Sequence, residues 1–574
     1  ICSEGSVFIG QCAGCDAVSG QDNILIGRAA GAGSTVDKTR NNIGQGFNRN
    51  VFLGNYAGRA NRSCCSVMIG ALTGQCSKGG QNVYLGSYAA RGSILNTCGD
   101  ATSDSFNVAI GAFAASGMKG GTHNIFLGRG AGGSNSGGSS NIMAGCAVGA
   151  CNLTGGSNIY FGYANTGNQG TTAHVNIFLG GSAGRCVTTG RHNIAIGSNA
   201  YRDIGSGEFG IAIGDCAGKC STIGGNVLVG RLAGCVLTQN HNTMIGDTAG
   251  LKSKETCGST FVGMYAGGCN TTGNRNTYLG CRAGVGNTTG GHNINIGAMS
   301  GPQVCGSTGE ANIFMGRYSG RVLTFGHCNI ALGYQAANCI TSGCRNIIFG
   351  RNAAQGLTTG NSNFYAGNHA GPTTCGHTGS HNIVLGDNAM RCSTGSASCN
   401  IALGLDAGTD ITGNYNVILG CGAALDSTSL NHSIIIGCEA SPKVTGDYTV
   451  SIGVRAGSCI TTGIRNVNLG FCAGHGITTG ESNISIGRKA GAQDCGASGE
   501  QNISIGHRVG CNLTTGNYNT FLGSYAGNNI TSGNTNIAIG YDVALPSATG
   551  NAQLAIGCGS NRWIAGDSSY KVTL

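Results

Sequence analysis

A glycine recurs about every seventeen residues from one end of the chain to the other, and it constrains the fold more than any other feature. Between Asn276 and Asn363 the chain reads NTYLGCRAGVGNTTGGH, NINIGAMSGPQVCGSTGEA, NIFMGRYSGRVLTFGHC, NIALGYQAANCITSGCR and NIIFGRNAAQGLTTGNS. With the asparagine as position 1, the unit is N-[IV]-x-[IL]-G-x-x-A-G-x-x-[ILV]-T-T-G-x-x. It occurs 32 times, the first copy starting at Ser6 and the last at Gln553, with a mean step of about 17.6 residues. Position 5 is Gly in all 32 copies, among them Gly10, Gly27, Gly54, Gly128, Gly280, Gly333, Gly404, Gly470, Gly523 and Gly557. Position 1 is Asn in 25, position 2 Val or Ile in 26 and position 8 Ala in 24, so each position has its own physical task.

Positions 1 to 4 read polar, apolar, variable, apolar, with β-branched residues at position 2. That pattern predicts a short strand with positions 2 and 4 facing inward. The Gly that follows implies either a positive φ or a backbone approach too close for a Cβ. Ala at position 8 suits a narrow interior. Position 12 is commonly Ile, Leu or Val (Leu323, Ile340, Leu357, Ile460, Ile530), which predicts a second inward strand. The TTG or TSG after it closes the coil through another turn. Stacked Asn residues at position 1 are placed to hydrogen-bond along the axis.

Two strands and two turns fill the unit and leave no room for a helix. The fold class expected is all-β, a parallel β-solenoid flattened into a two-sheeted β-roll. One unit cannot bury its own apolar face, so stability must come from stacking. At about 4.8 Å per rung, ~32 coils make a rod roughly 150 Å long. The rod is expected to run continuously over 1–552, with 553–574 as a terminal coil and capping segment. Long steps place loop insertions at 34–49 and 91–106. Three longer coils share one style of insertion: Gly301-Pro302-Gln303-Val304-Cys305-Gly306, Gly371-Pro372-Thr373-Thr374-Cys375-Gly376 and Gly491-Ala492-Gln493-Asp494-Cys495-Gly496.

If positions 2 and 4 are inside, position 3 points outward, yet 20 of its 32 copies are large and apolar. Phe8, Phe52, Tyr84, Phe126, Tyr160, Phe178, Phe261, Tyr278, Phe314, Tyr365 and Phe521 would then line up into a ribbon far larger than soluble monomers expose. On this register the stripe is an inter-chain surface and the chain a homotrimer. The competing register puts position 3 inside. Ser451, Asn468, Ser485 and Ser504 interrupt the stripe in four consecutive coils.

Little else points to chemistry. Gly supplies 108 of 574 residues, but only 4 Pro and no Gly-X-Y period accompany it, which excludes collagen. With 40% hydrophobic and 10% charged residues the chain is not disordered. No run of 18 apolar residues exists, so no membrane insertion is expected. A net charge of +9 without a basic run makes nucleic acid a poor partner. The 30 Cys scatter along the repeat, among other places over position 6 (Cys146, Cys281, Cys421, Cys438, Cys558), position 7 (Cys12, Cys216, Cys472) and position 11 (Cys186, Cys220, Cys269, Cys339, Cys392, Cys459). Of these sets only Cys421 and Cys438 fall at one position in consecutive coils, where a disulfide ladder would fit. Most Cys therefore read as small fillers in a reducing compartment.

The lone C-x-x-C, Cys12 to Cys15, has no second pair to complete a metal site. His123, His192, His292 and His432 precede position 1 and read as turn residues. Asp and Glu total 23 without a paired pattern, and no G-x-S-x-G, Walker or H-E-x-x-H motif occurs. The sequons at Asn152, Asn270 and Asn512 fall where the repeat itself favours Asn and Thr. The expectation is a non-enzyme with no cofactor and no metal. An ice-binding array is disfavoured, because adjacent Thr residues point to opposite faces.

The units NTFLGSYAGNNITSGNTNIAIG (Asn519 to Gly540) and NTYLGCRAGVGNTTG (Asn276 to Gly290) resemble the repeats of phage tail fibres and related viral fibre proteins. More distantly they are similar to the β-roll heads of trimeric autotransporter adhesins, whose motif is similar to S-V-A-I-G. The resemblance implies left-handed winding, a homotrimer and host attachment through a surface receptor, with other virion proteins at one end. It also implies a virion-surface location; a cellular adhesin or extracellular filament on the bacterial surface is the alternative. The end, from Gln553 through Trp563 to Tyr570, is similar to the segment that precedes an S74-type intramolecular chaperone in such fibres. A start at Ile1-Cys2-Ser3 without Met reads as a processed or truncated chain. Such chaperones cleave themselves off, so the same resemblance implies that the stop at Leu574 is either that cleavage end, the favoured reading, or a truncation.

Overall fold

The computed structural model describes residues 4–15, 20–33, 47–92, 104–163, 165–569 and 571–573. These form two compact units, Ile1–Arg282 and Ala283–Leu574. Both are built alike, and no helix occurs among the described residues. Each unit carries 16 repeat strands, one per coil, nearly all three residues long. Within each unit they pair in parallel and in strict register: Ile347 lies opposite Phe364, Ile348 opposite Tyr365 and Phe349 opposite Ala366. The expected parallel β-solenoid is therefore the fold. The loop insertions expected near 34–49 and 91–106 fall largely outside the described residues.

Among the described residues the second strand forms at one place only, where Asp104–Ser105 pairs in parallel with Gly121–Thr122; elsewhere it is reduced to single bridges such as Leu357 with His377. Position 12 does point inward, with Ile340, Leu357 and Ile460 fully buried, but the threonines after it do not make a ladder. Thr324 N, Phe325 N and Gly326 N instead converge on one acceptor, Thr341 O, at 2.9, 3.1 and 3.2 Å. Three consecutive N–H groups aimed at one carbonyl curl the backbone, whereas a strand alternates its groups between neighbours. Most described coils thus have one sheet strand, and their remaining sides are stacked turns.

Two features lock rung to rung. The Asn at position 1 is buried and bonds in three directions. Asn346 N and Asn346 Nδ2 both donate to Asn329 Oδ1 (3.1 and 3.0 Å), while Nδ2 also donates to Gly360 O at 2.8 Å. The ladder continues through Asn363 and Asn382. The glycine at position 5 answers both possibilities the sequence left open. Gly420 has φ +135°, and a Cβ there would lie 2.5 Å from Gly437 O on the next rung. The other position-5 glycines named above share the positive φ except Gly557, which lies within the first strand of the terminal hairpin.

That hairpin replaces the repeat where the sequence departs from it. Leu554–Cys558 pairs in parallel with Ile537–Tyr541 but antiparallel with Asn561–Gly566, which in turn pairs with Val572–Thr573. An antiparallel cap ends the run of identical edges that would otherwise recruit another strand.

Gly420→Ala combines a strained φ with a backbone collision, so it should lower stability by about 3 kcal/mol or more. Urea titration followed by circular dichroism measures this. An unchanged midpoint would contradict the close approach between rungs.

Candidate association surface

Alternation along the strand decides what each coil shows to solvent, and it runs opposite to the expected register. Position 3 is inside. Phe52, Tyr84, Phe126, Tyr160, Phe178, Phe261, Tyr278, Phe314, Tyr365 and Phe521 are all fully buried, and Phe8 is half-buried near the start of the chain. These residues are core and not an inter-chain stripe. The rings stack on one another where large residues follow in sequence: Tyr160 and Phe178 lie 4.9 Å apart at 5°, Phe261 and Tyr278 4.7 Å apart at 6°. The four polar interruptions are also inside. Ser451, Asn468, Ser485 and Ser504 are buried, so the interior itself turns polar there and the surface does not.

The reason lies across the coil. A ring at position 3 needs room, and position 9 supplies it: a Cβ on Gly267 would collide with the Phe261 ring. Beside one pair of position-3 alanines the opposite side grows. Tyr201 fills the space beside Ala195 and Ala212, with its hydroxyl donating to Asn226 O at 3.1 Å. Nine of the eleven Phe and Tyr residues of the expected stripe have Gly six residues later, which is the signature of size matching across one core. That compensation was readable in the sequence, since residues on a solvent face have no volume to conserve.

Positions 2 and 4 are therefore outside, and they are Ile, Val or Leu almost throughout. Ile9 (55% exposed), Ile347 (38%), Ile383 (45%), Leu385 (49%), Leu469 (42%) and Leu522 (44%) are examples. Parallel pairing in register lines them into two adjacent apolar columns along the sheet of each unit. At about 40 Å² per residue, the face of either unit offers on the order of 1,200 Å², above the ~800 Å² per partner of a standard specific interface. Apolar patches of that size mark contact surfaces.

Corners of the coil carry other side chains. The residues before position 1 adopt positive φ, including His123, His192, His292 and His432. Some stack with a ring one rung away: His192 on Phe209 at 4.9 Å, and Tyr415, His432 and Tyr448 in a row at 5.0 and 5.2 Å. The Asn of two sequons, Asn152 and Asn270, is buried. Asn152 Nδ2 donates to Gly155 O and Asn270 Nδ2 to Gly273 O, so both serve the turn. The sequon Asn512 donates to Asn528 O at 2.7 Å.

The cysteines correct the sequence reading in part. Twenty-one of those described are outside disulfides, Cys12, Cys421 and Cys438 among them. However, Cys339 is bonded to Cys375 and Cys459 to Cys495, each pair 36 residues apart. Cys76, Cys269 and Cys305 are disulfide-bonded too. The two pairs join a position-11 Cys to the insertion Cys two coils later, a pattern hidden from a search for neighbours at one repeat position. The intervening coil has Gly there, and the insertion crosses directly over it. Gly356 N donates to Pro372 O at 2.7 Å, Gly376 N returns to Gly356 O at 3.1 Å, and a Cβ on Gly356 would strike Thr374 O. Each disulfide thus skips a rung, and its insertion exists to make that span.

Beside the first of these staples, His377 is 1% exposed. Its Nδ1 accepts from Gly379 N at 3.2 Å and its Nε2 has no partner. Burial pushes the imidazole down to about 4. The unfolded chain binds a proton near pH 6.5, so the stability contributed by neutral His377 is whole above that pH and is lost as pH falls toward 4. Between pH 7 and pH 4 the parent should lose on the order of 3 kcal/mol more than His377→Ala, read from denaturant titrations at each pH. Parallel profiles would refute the assignment.

No family model matches this chain, and no curated protein matches it.

Proposed function

We propose that the chain is the structural subunit of a virion fibre or spike, a homotrimeric rod that carries a host-attachment surface away from the particle. The observation that carries this reading is the double column of Ile, Val and Leu on the outer sheet face of each unit. A monomer in water would leave it exposed, and a second and third copy of the same face can cover it. The regular spacing of the columns favours partners with the same rise per rung, and an identical chain has that rise by construction. The repeat resemblance to viral fibres points to the same use. Disulfides in a chain of this length suit an oxidising location such as a virion surface. Three copies of a weak receptor site raise avidity without strong individual contacts.

Sedimentation equilibrium of the purified chain tests the reading, with three chains per particle expected. The double variant Ile347→Lys/Ile383→Lys places two unpaired charges on the face without touching the core. It should sediment as a monomer at concentrations at least 100-fold above those where the parent stays assembled, with an unchanged circular dichroism spectrum. A monomeric parent, or a trimeric double variant, would overturn it.

A further inference from the structure

The two cystine staples are copies of one device, and they differ at one residue of the coil that the disulfide crosses. In the Cys339–Cys375 copy the residue before the crossed glycine is Gln355, and in the corresponding coil before Val304 it is Val285. In the Cys459–Cys495 copy it is His475. Cys459, His475 and Cys495 come from three successive coils, and their ligand atoms all lie within 4.8 Å of one another.

The backbone fixes this convergence. Cys459 N donates to His475 O at 3.1 Å, setting the first two coils side by side. Gly476 N donates to Ala492 O at 2.8 Å and Ala497 N returns to Gly476 O at 3.1 Å, so the insertion carrying Cys495 is clamped over the middle coil from both sides. Gln493 anchors the insertion further, its Nε2 donating to Cys472 O at 3.0 Å.

The histidine is oriented for a ligand. His475 Nδ1 lies 3.0 Å from Gln493 O, an atom that can only accept, so Nδ1 holds the proton and Nε2 presents its lone pair. A backbone carbonyl holding the far nitrogen is the usual support of a metal-binding imidazole. Cys459 and His475 are half-buried while Cys495 is exposed, which leaves one side of the triangle open to solvent.

We propose that, with the Cys459–Cys495 disulfide reduced, Cys459, His475 and Cys495 form a three-ligand site for Zn²⁺ or a similar thiophilic cation, its fourth position open to water. Two thiolates and one imidazole suit such an ion, and three protein ligands are the open form of a tetrahedral site. The disulfide and the metal are alternatives. A phosphine reductant supplies two electrons and becomes the phosphine oxide, taking its oxygen from water; the two water protons go to the sulfurs and give two thiols. Zn²⁺ then displaces both thiol protons.

The test maps thiols one by one, because the chain has many others. The full chain is reduced with a phosphine, incubated with or without Zn²⁺ and alkylated briefly with iodoacetamide, and its peptides are quantified by mass spectrometry. Zn²⁺ should slow alkylation of Cys459 and Cys495 at least about ten-fold, and His475→Gln should abolish the protection. Cys339 and Cys375 should stay unprotected in the parent and gain protection in Gln355→His. Circular dichroism after reduction confirms that the coils remain folded. Equal protection of both pairs, protection that survives His475→Gln, or no protection of Cys459 and Cys495 would each overturn the proposal.

Discussion

The whole structure depends on one contact, the backbone of each rung against the backbone of the next. Parallel pairing fixes that separation, so every coil must occupy the same cross-section as its neighbours whatever its sequence. At position 5 the approach is so close that only hydrogen fits where a Cβ would be, which accounts for an invariant Gly in a repeat that otherwise varies. The Asn column follows from the same constraint. With a fixed rise, one carboxamide reaches the next and satisfies polar groups that stacking has removed from water. Interior volume is then compensated in many layers, as with Phe261 opposite Gly267 or Tyr201 beside Ala195, because the layer cannot widen.

Much of this was legible in the sequence. The repeat length, the strand at positions 2 to 4, the glycine turn, the inward position 12 and the Asn ladder each follow from a residue type at a fixed place. The direction of the strand did not follow, and the reason is physical. Alternation identifies the buried face only when the two faces differ in polarity. Here Ile347, Ile348 and Phe349 are apolar in succession, as in most coils, and the β-branched residues that look like core lie outside. The informative signal was the coupling of Phe261 to Gly267 and of Ala195 to Tyr201, since only residues sharing a core must compensate in size.

The staples were hidden for a related reason. A search at one repeat position finds neighbours in the stack, but Cys339 and Cys375 occupy different positions in coils that are not consecutive. Their bond depends on an insertion of two residues and on Gly356, through which the chain can cross. Both marks were present, in the shared insertion style and in a glycine at position 11. Neither has meaning until the crossing is seen. The polar core residues, from Ser451 to Ser504, sit in the same stretch as Cys459 and Cys495, so the coils with the least apolar filling are among those with a covalent tie.

The corners of each coil bear on how such a chain comes to be folded. Residues such as Gln335, Asn352 and Arg455 hold left-handed backbone conformations that a free chain avoids at a cost of about 1 kcal/mol apiece. Each is held by an N–H bonded to the preceding coil: Gln335 to Arg317 O, Asn352 to Tyr334 O, Arg455 to Cys438 O. A solitary coil has no such acceptor and keeps the whole penalty, whereas a coil laid on a finished one is relieved of it at once. Order therefore spreads from an existing edge in the manner of a growing crystal. The slow event is the making of the first layer, and whatever templates that layer controls the yield of the entire molecule.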